Sequence, residues 1–81
     1  MDPSKILIWD VRGLNFSSRQ DSLRSLVDSS WSDIVCVQET KIAGLSRRII
    51  LSALGADFSY YAVVPSTGAS GGILIAWRRE G

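Results

Sequence analysis

There is no histidine in these 81 residues and only one cysteine, Cys36. That excludes an internal disulfide, a Cys/His zinc site, a Cys-His dyad and a Ser-His-Asp triad. Charge of one sign is lacking as well: nine basic residues stand against eight acidic ones, so no long-range field draws the chain to nucleic acid or to an anionic membrane. No apolar run approaches the roughly eighteen residues of a membrane span. Met1-Asp2-Pro3-Ser4-Lys5 has no basic n-region, and the apolar stretch behind it is broken by Asp10 and Arg12, which does not fit a signal peptide. The chain is also short, since compact domains commonly run about 100 to 150 residues, and a small core usually leans on disulfides, a structural metal or a partner. What is present is 46% hydrophobic residues, rich in β-branched and aromatic types, which is far from the disordered class. Chemistry must therefore come from carboxylates, hydroxyls, lysine, arginine or a metal held by oxygen. A lone cysteine fits a reducing compartment, and the expected location is intracellular, with the nucleus left open.

Ile6-Leu7-Ile8-Trp9 followed by Val11 is a short apolar run ended by Arg12-Gly13-Leu14-Asn15, and it reads as a strand buried on both faces. Ser17-Ser18 are candidate N-caps with Gln20 or Asp21 as capping-box partners. Leu23, Leu26, Val27 and Trp31 recur at helical spacing, which predicts a helix from about Arg19 to Ser30. Ile34-Val35-Cys36-Val37, opened by Asp33 and ending in Gln38-Glu39-Thr40-Lys41, is a second interior strand. Strand, helix and strand over this length make a βαβ unit with parallel strands. Ser46 caps a short second helix carrying Ile49, Ile50, Ala53 and Leu54, with Leu45 and Ile50 as a hydrophobic staple and Gly55 at its end. Phe58 to Val64 and Gly72 to Trp77 flank a loop too short for a crossover helix, which predicts an antiparallel hairpin. The fold class is α/β with elements in the order β-α-β-α-β-β. Two short helices leave one sheet face uncovered.

Ligands gather where the carboxyl ends of parallel strands emerge, and those ends carry Asp10 and Gln38-Glu39. Hard divalent cations such as Mg²⁺ take one or two carboxylates together with phosphate oxygens, so this edge suits half of a metal site for phosphoryl chemistry. Pattern alone leaves a plainer alternative open, with Asp10 capping a turn in Asp10-Val11-Arg12-Gly13 and Glu39 a solvated acid.

Three blocks then carry a resemblance: Ile6 to Asn15, Asp33 to Lys41, and Gly68-Ala69-Ser70-Gly71-Gly72-Ile73-Leu74-Ile75-Ala76-Trp77. In this order they resemble the opening of the endonuclease/exonuclease/phosphatase family, closest to the endonuclease domains of plant non-LTR retrotransposons. The resemblance implies that residues 1–81 are the N-terminal third of a DNase I-like two-sheet α/β sandwich. It implies Mg²⁺-dependent hydrolysis of phosphodiesters in DNA, with Glu39 as the metal ligand and Asp10 at the position of an active-site asparagine. The family's later blocks, an Asp-x-Asn and a terminal Asp-His, have no counterpart in these residues, so the isolated chain is expected to be inactive and to bind Mg²⁺ weakly or not at all. An aspartate in place of the asparagine loses an N–H₂ donor and adds a charge that either hinders a nearby phosphate or serves as a further metal ligand.

Two further readings compete. One is a non-catalytic fragment whose uncovered sheet face binds another protein or its own copy. The other is a phosphatase or repair nuclease of the same family, disfavoured because the first and third blocks resemble the retroelement branch. The remaining candidates read as structural: Gly68-Ala69-Ser70-Gly71-Gly72 as a hairpin connection lacking the lysine and helix of a P-loop, Arg47-Arg48 and Arg78-Arg79 as solvated pairs, Cys36 as a buried thiol, and Trp9, Trp31 and Trp77 as core.

Overall fold

Apolar runs rich in β-branched residues form the strands, and stretches with apolar residues three and four apart form the helices. In the computed structural model, which describes residues 5–67 and 71–78, the order is β1 (Ile6–Asp10), α1 (Ser17–Ser30), β2 (Ile34–Gln38), α2 (Arg47–Leu54), β3 (Tyr60–Val64) and β4 (Ile73–Trp77). Gly68, Ala69 and Ser70 of the expected hairpin connection and Arg79 of the second basic pair lie outside the described residues.

The strands make one sheet in the order β1-β2-β4-β3. β1 and β2 run parallel from Ile6↔Ile34 to Asp10↔Gln38, so their carboxyl ends finish level. β4 runs antiparallel to both β2 and β3, which brings its first residue, Ile73, opposite Gln38 and Val64. Three strand ends, Asp10, Gln38 and Val64, and one strand beginning, Ile73, thus lie at one end of the sheet.

Alternation along the strands sends Val35, Val37, Leu74 and Ala76 into the core with Leu23 and Val27 of α1 and Ile50, Ala53 and Leu54 of α2. Val11, Leu14 and Phe58 close it from the loops. Ser46 caps α2 as expected, its hydroxyl accepting from Ile49 N–H at 3.2 Å, and Gly55 ends that helix with φ 89° while donating to Leu51 C=O. No helix among the described residues is long and apolar enough to cross a membrane.

Several expectations are corrected. β1 is not buried on both faces: it is an edge strand, and Ile6 and Ile8 stand 60% and 61% exposed on the face away from the helices. Cys36, on that same face, is half-buried rather than buried. The N-cap of α1 is Phe16, without a side-chain bond, because the preceding loop is pinned to the end of β2 and reaches helical geometry at Ser17. Gln20, expected in a capping box, instead donates to Leu14 C=O at 2.8 Å. Trp31 is no core residue: the helix stops at Ser30, and Trp31 takes the left-handed C-cap conformation (φ 56°) with its side chain in solvent. Trp9 and Trp77 are also exposed, one on the edge strand and the other stacked on Tyr60 with ring centroids 6.2 Å apart.

Candidate functional site

The edge where β1, β2 and β4 meet is shaped by backbone hydrogen bonds. Val11 N–H donates to Gln38 C=O at 3.0 Å, Gly13 N–H to Glu39 C=O at 2.8 Å and Leu14 N–H to Thr40 C=O at 2.9 Å, which ties the β1–α1 loop to the segment after β2. From the other side, Thr40 N–H donates to Gly72 C=O at 3.3 Å and Lys41 N–H to Gly71 C=O at 2.6 Å. Residues 39–41 are thereby clamped between two loops, with Thr40 fully buried at the centre.

The clamp holds strained backbone. Arg12, Glu39 and Lys41 have φ of 52°, 59° and 57°, in the left-handed region that costs a non-glycine residue about 1 to 2 kcal/mol. Three of the four non-glycine residues with positive φ among those described therefore sit on the two loops of this edge, the fourth being Trp31. At Gly72 (φ 79°) the chain uses a glycine where it enters β4.

Asp10, Gln38, Glu39, Gly71, Gly72 and Ile73 line one open cleft of about 350 Å³. The two carboxylates singled out in the sequence thus line the same cleft. Asp10 lies on the face without helices, its carboxylate about half exposed and 3.8 Å from Arg12 Nε; a pair this open to water contributes little. Glu39 is half-buried. Gly71 and Gly72, expected only as part of a hairpin connection, form a wall of the cleft. The signal available for them was their place immediately before the inner strand. Arg47 and Arg48 begin α2 and do not line the cleft.

The donor set is hard oxygen: two carboxylates and the Gln38 amide. That fits a hard divalent cation in part, leaving most coordination positions to phosphate oxygens and water. Among the described residues no group of three or more cysteine, aspartate and glutamate side chains gathers to close a metal site.

A search against protein-family models gave no match, and neither did a search of curated proteins. A solved structure does match. The crystal structure of the AP endonuclease LMAP from Leishmania major aligns with 96% of this chain at 26% identity, with a TM-score of 0.58. The fold is the mixed α/β, DNase I-like fold seen in that nuclease. The chain spans 26% of the length of the Leishmania protein, so the elements described here correspond to about a quarter of it.

Proposed function

We propose that residues 1–81 are the N-terminal part of a Mg²⁺-dependent DNA endonuclease domain of the endonuclease/exonuclease/phosphatase family, of the retrotransposon branch. The observation that carries the reading is the meeting of Asp10 and Glu39 in one cleft at the carboxyl ends of parallel strands, on a fold shared with a nuclease. Glu39 is the residue that would hold the cation, with Asp10 beside it in the place of the family's asparagine. A bound Mg²⁺ would supply Lewis-acid polarisation of a phosphodiester. The chain's own contribution is to fix Glu39 in a clamped turn, so that its charge is in place before substrate arrives.

The test uses a complete family member carrying these 81 residues in place of its own. Glu39→Gln lowers nicking of supercoiled DNA by about 10² to 10³ or more, the usual scale for losing electrostatic stabilisation of a transition state. Asp10→Asn raises the rate, because it removes a charge facing the phosphate and restores a donor. A Mg²⁺ titration of the chimera and both variants reads the two effects. Full activity in Glu39→Gln removes the metal-ligand reading, and a slower Asp10→Asn makes Asp10 a ligand in its own right. The 81-residue chain alone, lacking histidine and the family's later blocks, does not nick DNA above a Glu39→Ala control.

A second reading, self-association without catalysis, is favoured by the face of the sheet that neither α1 nor α2 covers. Ile6, Ile8, Tyr60, Val64, Ile73, Ile75 and Trp77 are all substantially exposed there. Sedimentation of the chain decides it: a monomer at all concentrations that binds no hydrophobic dye ends this reading.

A further inference from the structure

Gly71 differs from its neighbour in the reason it is a glycine. Gly72 has φ 79°, which an L side chain rarely adopts; at Gly71 the obstacle is a neighbouring side chain. What excludes a side chain at Gly71 is Glu39. A Cβ built there would overlap Glu39 Oε2, lie 2.6 Å from Glu39 Cδ and stand 3.2 Å from its Cα. The backbone on both sides is held, since Lys41 N–H donates to Gly71 C=O at 2.6 Å and Gly13 N–H donates to Glu39 C=O at 2.8 Å, so it is the free end of the Glu39 side chain that would have to move. The carboxylate of Glu39 therefore occupies the space that a side chain at position 71 would fill.

We propose that Gly71 is a positioning residue for Glu39, which it serves by having no side chain, so that the carboxylate lies back over the start of β4 and faces the cleft shared with Asp10. The cleft role rests on the reading of Glu39 as a cation ligand; the steric coupling does not. A methyl group at 71 turns the Glu39 side chain out of the cleft or pushes the two loops apart.

A double-mutant cycle in the 81-residue chain tests the coupling through urea unfolding of Gly71→Ala, Glu39→Ala and the double variant. Gly71→Ala lowers the midpoint by about 1 M in the parent, the scale of overpacking a close contact in a small protein, and much less in the Glu39→Ala background. If Gly71→Ala does not fold alone, recovery of folding in the double variant gives the same answer. An equal loss in both backgrounds, or a double variant that stays unfolded, overturns the proposal. Gly71→Ala with Glu39→Asp is the rescue, because the shorter side chain draws its carboxylate away from position 71. The second readout is Mn²⁺ broadening of the amide resonances of Asp10, Glu39 and Gly72 in folded protein. It is weakened in Gly71→Ala and restored by Glu39→Asp, while unchanged broadening in folded Gly71→Ala overturns the positioning role. Absence of broadening in the parent leaves the cation reading of Glu39 to the full-domain chimera and leaves the urea cycle to decide Gly71.

Discussion

The two faces of the one sheet are built from the same four strands and differ in nearly everything else. On one, Val35, Val37, Leu74 and Ala76 are fully buried under two helices; on the other, Ile6, Ile8, Ile75 and Trp77 look into open space. The residue types hardly differ between the faces, so apolar character alone did not decide which face became the core. The decision came from α1 and α2, whose buried residues join the same cluster as one face only. An amphipathic strand shows its two sides by alternating polar and apolar residues. A strand apolar on both sides can be covered on either, and among the described residues only one side is.

The largest expected break in that comparison is Leu74→Ala, on the covered face of the inner strand. It removes a fully buried side chain and should cost about 2 to 5 kcal/mol, a large share of the stability of a chain this size. Chemical denaturation checks it, and a loss under about 1 kcal/mol would mean that the covered face is as loose as the open one. Next comes Ile6→Lys with Ile8→Lys on the open face of the edge strand. Stability should stay within about 1 kcal/mol, two surface replacements at about 0.5 each, while any self-association weakens by on the order of tenfold or more. Sedimentation and denaturation of the same variant separate the two quantities, and a large drop in stability would show that β1 is packed after all. The smallest effect is optical. Acrylamide should quench Trp31 most and Trp77 least, following exposures of 79%, 42% and 39% for Trp31, Trp9 and Trp77, as read in variants that keep one tryptophan at a time. Strong protection of Trp77 alone, rising with protein concentration, would show the open face becoming covered.

Element order, the parallel pair, the hairpin and the cap of α2 were legible because each rests on local chemistry: apolar runs, helical spacing, and Ser46 before Ile49 and Ile50. What was not legible depends on neighbours. Ile6-Leu7-Ile8-Trp9 reads the same whether both its faces are covered or one, so the exposure of β1 and the half-burial of Cys36 could not be read from it. Phe16 became an N-cap because Gly13 and Leu14 are hydrogen-bonded to residues beyond β2, a constraint spanning more than twenty positions. At the site, Asp10 and Glu39 were found from strand ends. The left-handed backbone of Arg12, Glu39 and Lys41 was not, because none of the three is a residue type that announces positive φ. Gly71 was visible but misleading: a glycine beside glycine suggests a turn, and only the position of Glu39 reveals what the missing side chain leaves room for.

The strand order has a consequence for how such a chain is born. β4 is the last strand among the described residues, yet it lies between β2 and β3. A ribosome delivers β1, α1, β2, α2 and β3 before the strand that joins them exists. The stretch from Val64 to Trp77 takes roughly 0.7 to 2.6 seconds to synthesise at about 5 to 20 residues per second, against microseconds for a helix or hairpin to form. For that interval β2 and β3 each offer an unpaired backbone edge to the same missing strand, and any extended peptide nearby can compete for the gap. A nascent chain of this topology depends on what shields it while it waits.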